Sequence, residues 1–337
     1  MSQKKINKRI LITGASGYIG SCLNNFFNKD SLIYCLDKKH PNTWTKINKK
    51  NFYICDLLNK KKLTKVIKNI MPDVVIHFAA TSTVNEKIPY SKYYQNNVVA
   101  TKNLIEVMNE LKIKKIIYSS TAAVYDRKVR RIIEKDKLNP ISKYGKSKLK
   151  AEEIIKRNKK IKHIILRFFN VSSSIPKPLI GEYHNPETHL IPIAVSNAIQ
   201  NRAINLFGND YETKDGTCIR DYIHIKDICL AIKKSIMYLE KKTLKSLILN
   251  IGNGKGISNK EIVFSLKKIL KKTINIRFLK RRKGDQAFLV CDIKKAKKFI
   301  KWIPVNSTTS KILKDEINWT KFLEKRFIKR KIMHVQK

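Results

Sequence analysis

The chain has 337 residues, enough for one large domain or two modest ones with a sizeable core. Its 72 lysines and arginines against 26 aspartates and glutamates give a formal net charge of +46. The basic residues are spread over the whole chain without an aromatic-interleaved patch or a known DNA-binding motif, so we expect no specific nucleic-acid partner. Lysine, asparagine and isoleucine are all abundant and have AT-rich codons, which favours mutational bias as the origin of the charge.

Membrane insertion, secretion and metal binding are also not expected. No apolar run approaches the ~20 residues that a membrane helix needs, and the basic N-terminus lacks the apolar region and cleavage site of a signal peptide. We therefore expect a soluble, cytoplasmic protein with no membrane partner. The six cysteines are scattered, with no Cys-x-x-Cys and no histidine pair at zinc spacing. We interpret them as reduced, structural residues and expect no metal.

The first motif is a glycine-rich turn between a predicted strand at 10–13 and a predicted helix. Gly14, Gly17 and Gly20 account for three of only 11 glycines. Glycines at such a turn allow bare backbone to approach a pyrophosphate, and the helix N-terminus favours the anion. The spacing is G-x-x-G-x-x-G, a variant of the dinucleotide fingerprint G-x-G-x-x-G. A glycine turn that binds no ligand is the alternative.

A second predicted strand, 32–36, ends at Asp37. This acid lies 23 positions after Gly14, near the offset of about 20 residues at which a carboxylate meets the adenosine ribose. An acid there favours NAD, because it would repel the 2′-phosphate of NADP. Lys38 and Lys39 weaken that preference, and an ordinary surface turn acid is the alternative.

The rest of the first half alternates strands and helices. We predict strands at 52–56, 73–80, 115–120 and 161–169, a long helix at 90–111, and a helix from Asn139 and Pro140 (N-cap and first turn) to about 156. The alternation predicts an α/β fold: a doubly wound parallel (Rossmann) sheet with a smaller C-terminal α/β substrate-binding lobe. We place the cofactor-binding domain at 1–175, the substrate lobe at 176–325, with the chain crossing back between lobes near 220–250, and a basic tail, frayed helix or extension, at 326–337.

Three polar residues are the candidates for catalysis. Thr121 follows the predicted fifth strand, and Tyr144 and Lys148 lie four apart on one face of the next helix. A phenol has a pKa of about 10 and needs help to act as a base. A nearby ammonium and a positive nicotinamide ring would favour the phenolate, and Thr121 could share the proton. Because lysine is so abundant here, a chance Tyr-x-x-x-Lys is the alternative.

Longer motifs carry a resemblance to a known family. They are Thr13 to Gly20, residues 77–80, 94–98, 119–125, 144–148, 166–171, 184–192, 215–224 and 281–285. Over residues 8–320 the chain resembles the extended short-chain dehydrogenase/reductases, and within them the UDP-glucose 4-epimerase family. The motifs before residue 100 indicate the superfamily, and those in the second lobe look specific to the 4-epimerases.

The resemblance implies an NAD-dependent isomerase that interconverts UDP-glucose and UDP-galactose by oxidation and reduction at sugar C4. It implies catalysis by Tyr144, Lys148 and Thr121, and a homodimer formed through two helices of the first lobe. The implied cofactor contacts are Gly14, Gly17, Tyr18, Ile19, Gly20, Asp37, Asp56, Leu57, Phe78, Ala79, Ala80, Asn97, Lys148 and Phe169. The implied substrate contacts are Thr121, Tyr144, Asn170, His189, Leu190, Phe207, Arg220, Arg282, Asp285 and Leu289.

Guanidinium groups suit a diphosphate and an aromatic ring suits uracil, although Arg220 could instead form an ion pair between the lobes. Departures from the family pattern are Asp126, where glycine is usual, and Ser82, where some relatives have lysine. Leu289, at a position that sets pocket size, favours an unsubstituted hexose.

Other functions stay open. They are 4-epimerisation of UDP-N-acetylhexosamines, a nucleotide-sugar dehydratase or decarboxylase, and a non-catalytic protein that binds nucleotide sugars or polyanions. Against a dehydratase, Ala122 and Ala123 stand where an Asp-Glu pair would be expected.

Overall fold

The structure is a computed structural model that describes residues 8–27, 32–42, 44–45, 47–85, 87–126, 130–177, 179–241, 245–282 and 284–335. The strands, in chain order, are β1 (Arg9–Thr13), β2 (Leu32–Asp37), β3 (Phe52–Ile54), β4 (Val74–His77), β5 (Lys115–Thr121), β6 (Lys162–Phe168), β7 (Asn170–Ser172), β8 (Ser174–Pro176), β9 (Leu179–Gly181), β10 (Ile204–Phe207), β11 (Ile219–His224), β12 (Leu247–Ile251), β13 (Gly256–Ser258), β14 (Ile276–Leu279) and β15 (Phe288–Leu289). The α-helices are α1 (Tyr18–Phe27), α2 (Lys60–Ile70), α3 (Tyr90–Tyr93), α4 (Ala100–Glu110), α5 (Lys143–Arg157), α6 (Leu190–Ile199), α7 (Ile225–Tyr238), α8 (Asn259–Leu270), α9 (Lys294–Ile300) and α10 (Thr309–Val335).

Seven parallel strands form the large sheet, in the order β12-β6-β5-β4-β1-β2-β3. The chain starts in the middle of this sheet and extends it first to one side and then to the other, so the prediction of a doubly wound parallel sheet is confirmed. The strand order reverses beside β1, which lies between β2 and β4. Ligands of such sheets bind beyond the carboxyl ends of the strands at this point.

Both faces of the large sheet are buried, which is why its strands are continuous apolar runs. On one face, Ile10 and Ile12 of β1 pack in a core with Cys22 and Leu23 of α1. On the other face, Leu11 packs in a second core with side chains from α2, α4 and α5. All six cysteines are buried and free.

A smaller lobe lies beyond the carboxyl ends of the large sheet. It contains β11 with β13 and β15, the pair β10 and β14, and a third core shared by α6, α8 and α10. The chain returns to the large sheet between these parts, because α7 packs in the core with α1 and β12 pairs with β6. The division at residue 175 stays a prediction, and β7, just before it, pairs with β11 of the smaller lobe.

One predicted boundary is wrong. Helix α5 begins at Lys143, and its N-cap is Ser142, whose hydroxyl accepts a hydrogen bond from Gly145 N at 3.0 Å. Asn139 does not cap this helix, because its amide donates to Asp126 at 3.4 Å. At the other end of the chain, α10 runs to residue 335. The segment separated above as a basic tail is therefore helical up to that residue, and 336–337 lie outside the described residues.

The long helix predicted at 90–111 is present as α3 and α4 joined by a π-helical stretch, Tyr94–Val99. Its π-helical part packs against α5 on one side of the large sheet. Among the helices in the described part of the chain, none has the length and apolar run that crossing a bilayer requires.

Candidate active site

A cleft of about 970 Å³ lies beyond the carboxyl ends of the large sheet and is walled on the other side by the smaller lobe. It brings together residues from β1 to β15 that are up to 275 positions apart in the chain (Gly14 to Leu289). All the predicted site residues except Asn97 and Phe207 line it. The roles of these residues stay predictions, but their convergence on one cleft places the predicted chemistry in a single site.

The glycine turn after β1 forms one wall of this cleft. Gly14 has φ +74°, and a Cβ added to it would lie 2.5 Å from Ala79 N. A Cβ on Gly20 would overlap the carbonyl of Gly14, so this glycine lets α1 pack against the turn. Gly17 differs, because an added Cβ would meet only Gly14 O, at 3.4 Å. Backbone at Gly17 is thus bare toward the cleft, as the approach of a pyrophosphate requires.

Two carboxylates lie where the sequence predicts the adenosine end of the cleft. Asp37 lies at the end of β2, and its oxygens accept hydrogen bonds from Ser16 N at 3.0 Å and Lys39 N at 3.1 Å. Asp56 accepts from Leu58 N at 3.0 Å. Both carboxylates line the cleft and keep further lone pairs for a ligand's hydroxyl groups. With the bare turn at Gly17, these acids fit NAD.

Asn97 does not line the cleft and is buried behind its wall. Its carbonyl oxygen accepts from Thr81 N at 2.7 Å, and its amide donates to Thr81 O at 3.1 Å and to Ser147 Oγ at 2.9 Å. All its side-chain groups are therefore used in holding the strand-β4 loop against helix α5. Asn97 therefore supports the wall of the cleft from behind, whereas the resemblance implies that it contacts the cofactor.

Thr121, Tyr144 and Lys148 all line the cleft. Burial raises the pKa of the Tyr144 phenol to about 12, and a hydrogen bond with Thr121 opposes this by favouring the phenolate. The Lys148 ammonium lies over the Tyr118 ring, 4.2 Å from its centre, and its predicted effect on the pKa of Tyr144 stays a prediction. Burial lowers the pKa of Lys148 to about 7, and the nearby Glu152 carboxylate opposes that shift.

A buried ion pair beneath the catalytic helix was missed in the sequence. Glu152 is fully buried, and Arg167 of β6 donates to both its oxygens, at 2.9 and 2.7 Å. Ser120, the neighbour of Thr121, donates to the same carboxylate at 2.5 Å. The pair thus ties α5, β5 and β6 together directly below the site. In the sequence, the spacing of four residues between Lys148 and Glu152 indicates that these two side chains share one face of the helix, but it does not point to Arg167.

The substrate end is lined by long charged side chains. Arg220 donates to Gln286 O at 2.6 Å and lies 3.4 Å from Asp285, so it forms an ion pair within the smaller lobe. Arg282 lies over the Phe207 ring, 3.8 Å from its centre. Arg282 lines the cleft, whereas the Phe207 ring that it covers does not. On the opposite wall, the buried amide nitrogen of Asn170 has no hydrogen-bond partner in the described structure and is available to a ligand oxygen.

His189 is the last predicted substrate residue, and it belongs to a cluster that the sequence did not predict. Glu182, His184, Glu187 and His189 place one ligand atom each within 4.8 Å of one another. Glu182, His184 and His189 line the cleft beside the first turn of α6. Their signal in the sequence was the density of acids and imidazoles within eight residues.

Comparison with known proteins identifies the family. The sequence profile of the NAD dependent epimerase/dehydratase family matches residues 10–252. The chain belongs to this family. A curated relative named UDP-glucose 4-epimerase, from Halalkalibacterium halodurans, is 36% identical over 319 residues, covering 93% of this chain and 95% of the relative. The predicted family is thereby confirmed.

Solved structures of epimerases agree with the fold. The crystal structure of UDP-glucose 4-epimerase from Brucella ovis in complex with NAD matches with a TM-score of 0.87 and 31% identity, covering 94% of this chain and 99% of that one. The UDP-Glc/GlcNAc 4-epimerase from Campylobacter jejuni matches with a TM-score of 0.79 and 34% identity, covering 94% and 99%. The NAD dependent epimerase fold of this chain therefore extends through both lobes.

Proposed function

We propose that this protein interconverts UDP-glucose and UDP-galactose by inverting sugar C4, with NAD as its cofactor. The observation that carries the proposal is Tyr144, hydrogen-bonded to Thr121 at the centre of a cleft that has a dinucleotide turn at one end and two arginines at the other. Curated relatives over nine-tenths of this chain are named UDP-glucose 4-epimerase, and neighbouring structures are solved with NAD.

Different residues of the chain bind the cofactor and transfer the proton. When bound, NAD supplies the acceptor and donor for the hydrogen at C4. The Gly14–Gly20 turn and Asp37 would hold it, with the small residues Ala79 and Ala80 allowing close approach. Tyr144 accepts the proton of the sugar 4-hydroxyl and returns it, and Thr121 hydrogen-bonds the same phenol oxygen.

Tyr144 can act as a base near neutral pH only if its pKa falls well below about 12. A positive charge close to the phenolate has this effect. Lys148, one turn further along α5, is the cation of this chain placed to supply it, and the surrounding apolar groups strengthen the interaction by excluding water.

Epimerisation also requires that the sugar present both faces of C4 while UDP stays bound. The charged groups of the smaller lobe, Arg220 and Arg282, suit the diphosphate. Leu289, which lines the cleft beside them, offers the sugar no hydrogen bond. Strong contacts to UDP and weak contacts to the hexose are the combination that lets the ring turn without leaving.

Replacement of Tyr144 by Phe tests the proposal. We expect kcat/KM for UDP-galactose to fall by about 10²- to 10⁴-fold, while the melting temperature and the extractable NAD stay unchanged. Tyr94→Phe is the matched control, because Tyr94 is exposed and does not line the cleft. Wild-type protein that cannot interconvert the two sugars, or a Phe variant with full activity, would exclude this function.

The N-acetylated sugars are the second candidate substrates, because the Campylobacter jejuni relative is named for both classes. Assay of UDP-glucose, UDP-galactose, UDP-GlcNAc and UDP-GalNAc in parallel separates the two. We expect the plain hexoses to react with higher kcat/KM, since Leu289 narrows the sugar end of the cleft.

We also propose that two copies associate through α3–α4 and α5. Tyr94 on this helical layer and Ile141 just before α5 leave 39% and 51% of their surface exposed. Light scattering on the purified protein, as it elutes from gel filtration, should give twice the chain mass of 39.2 kDa. Ile141→Glu should shift the mass toward one chain, and a single-chain mass for the wild type would overturn the proposal.

A further inference from the structure

The segment between β9 and α6 carries chemistry that 4-epimerisation does not use. We propose that Glu182, His184, Glu187 and His189 form a binding site for a divalent transition-metal ion of the Zn²⁺ class. This departs from the expectation of no metal, because four residues separate His184 and His189, a histidine spacing found in zinc sites that was overlooked in the sequence.

The four side chains converge on one point. Nδ1 of His189 and Nδ1 of His184 lie 2.5 and 3.1 Å from the same oxygen of Glu182. Oxygens of Glu187 lie 3.5 Å from His184 Nδ1 and 3.6 Å from His189 Nδ1. Ligands at 2.0–2.2 Å from a tetrahedral zinc ion are roughly 3.3 Å apart. Three of these distances match that spacing, and the 2.5 Å contact between His189 and Glu182 would have to lengthen by less than about 1 Å to admit an ion between them.

A second observation comes from Glu182 itself. Its side chain is 1% exposed, and its Oε2 has no hydrogen-bond partner within the described residues. A buried carboxylate oxygen without a partner is costly, and it belongs to the carboxylate that both imidazoles approach. Both imidazoles approach Oε1 and leave Oε2 unsatisfied, whereas an ion coordinated by both oxygens of this carboxylate would use Oε2 as well.

The chemistry of the donors selects the class of ion. Two imidazole nitrogens with two carboxylates suit Zn²⁺ and its neighbours, whereas Ca²⁺ and Mg²⁺ prefer oxygen ligands throughout. With neutral imidazoles the four groups carry a charge of −2, which matches a divalent cation. The carboxylate of Glu187 is already oriented, because Thr188 N and His189 N donate to it at 2.7 and 2.9 Å.

The site has a consequence for the cleft. His189 is the N-cap residue of α6 and lines the cleft that we assign to the nucleotide sugar. A metal ion would hold this residue and the first turn of α6 in place. The inference does not depend on the epimerase assignment, because the ligands are defined by their own geometry.

The test is metal binding by the purified full chain. After treatment with EDTA, the protein is dialysed against ZnCl₂ and the bound zinc is measured, and Co²⁺ is titrated in parallel for its visible absorption. We expect one ion per chain, with Co²⁺ bands of the intensity typical of four ligands. His184→Ala and Glu187→Gln should each weaken binding at least tenfold, and zinc should raise the melting temperature of the wild type but not of these two variants.

His40→Ala is the matched control, since His40 is exposed and outside the cluster. It should bind zinc as the wild type does. Melting temperatures without metal show whether each variant folds, and Glu187→Gln, which changes one oxygen, provides a mild substitution if His184→Ala does not fold. Binding below one ion per chain, or equal affinity in the cluster variants and the control, would overturn the proposal. Activity is not part of the readout, so failure of the epimerase assignment is detected separately.

Discussion

The two walls of the cleft are built in different ways. On the large-sheet wall, the contacts come from backbone at Gly14 and Gly17 and from the buried side chain of Lys148, which the surrounding core holds in place. On the small-lobe wall, the contacts come from exposed or half-buried long side chains, above all Arg220 and Arg282, which rest on a carbonyl and on an aromatic ring.

The difference suits a protein that keeps one ligand and exchanges another. Backbone and buried side chains lose little entropy on binding, so a preformed wall favours tight, lasting binding. Exposed arginines can leave their internal contacts at small cost and turn toward a diphosphate. Substitutions in the first wall should therefore affect folding, and substitutions in the second should affect substrate binding with little effect on folding.

The largest expected effect is on the buried pair beneath the first wall. Glu152→Gln should lower the free energy of unfolding by about 3–5 kcal/mol, because it leaves the Arg167 guanidinium buried without a counter-charge. Urea denaturation measures this. Glu153→Gln, on the half-buried next residue, should change stability by less than about 0.5 kcal/mol. Equal effects of the two substitutions would show that the pair does not hold this wall.

The second effect concerns substrate binding at the other wall. Arg282→Ala should raise the KM for UDP-glucose by about 10- to 100-fold, since hydrogen bonds to a charged group contribute about 1.5–3 kcal/mol. The exposed position predicts a change in unfolding free energy below about 0.5 kcal/mol. Arg281→Ala is the control, because Arg281 pairs with Asp210 and does not line the cleft. A matching rise in KM for Arg281→Ala would argue against a specific contact.

A third effect separates two glycines of the same turn. Gly20→Ala should cost about 1–3 kcal/mol of stability, because the new methyl group overlaps the Gly14 carbonyl. Gly17→Ala should fold like the wild type but retain less NAD after gel filtration, since its methyl group points into the cleft. Thermal unfolding and extraction of bound nucleotide check both. If Gly17→Ala proves to be the less stable variant, the two glycines do not have the separate roles in packing and NAD binding that we assign to them.

The last effect is a dependence of stability on pH, which is small at any one pH unit. Burial lowers the pKa of Lys148 to about 7, against about 10.4 in an unfolded chain. Between these values the unfolded state binds the additional proton, so this group makes stability rise with pH, by at most about 1.4 kcal/mol per pH unit. Below pH 7 both states are protonated and its contribution is constant.

The measurement is the wild-type unfolding free energy minus that of Lys148→Met, from pH 6 to pH 10. The difference should increase above pH 7 and be flat below it. Lys146→Met, two residues earlier and exposed, should show no such increase. A difference that falls as pH rises would mean that the Lys148 amine is stabilised as the ammonium in the folded protein.

Much of the fold was predictable because its signals are local. Strands β1 and β2 are apolar, β-branched runs bounded by turn residues, and the glycine spacing after β1 is enough to predict the βα turn. The start of α5 was missed because Asn139 and Ser142 are both good N-caps. The contact of Asn139 with Asp126, formed across a loop, leaves Ser142 to cap the helix.

Local spacing predicted which residues share an element, and through the parallel alternation it predicted which ends of the strands face the site. Partners of charged groups could not be predicted this way. Lys148 lies against Tyr118 and above Glu152, Arg220 lies beside Asp285, and the Glu182 carboxylate gathers two imidazoles. Periodicity and turn chemistry act within a few residues, so the local sequence is enough to predict them. The environment of a side chain depends on packing between segments far apart in the chain, so burial, pairing and pKa emerge when the lobes come together.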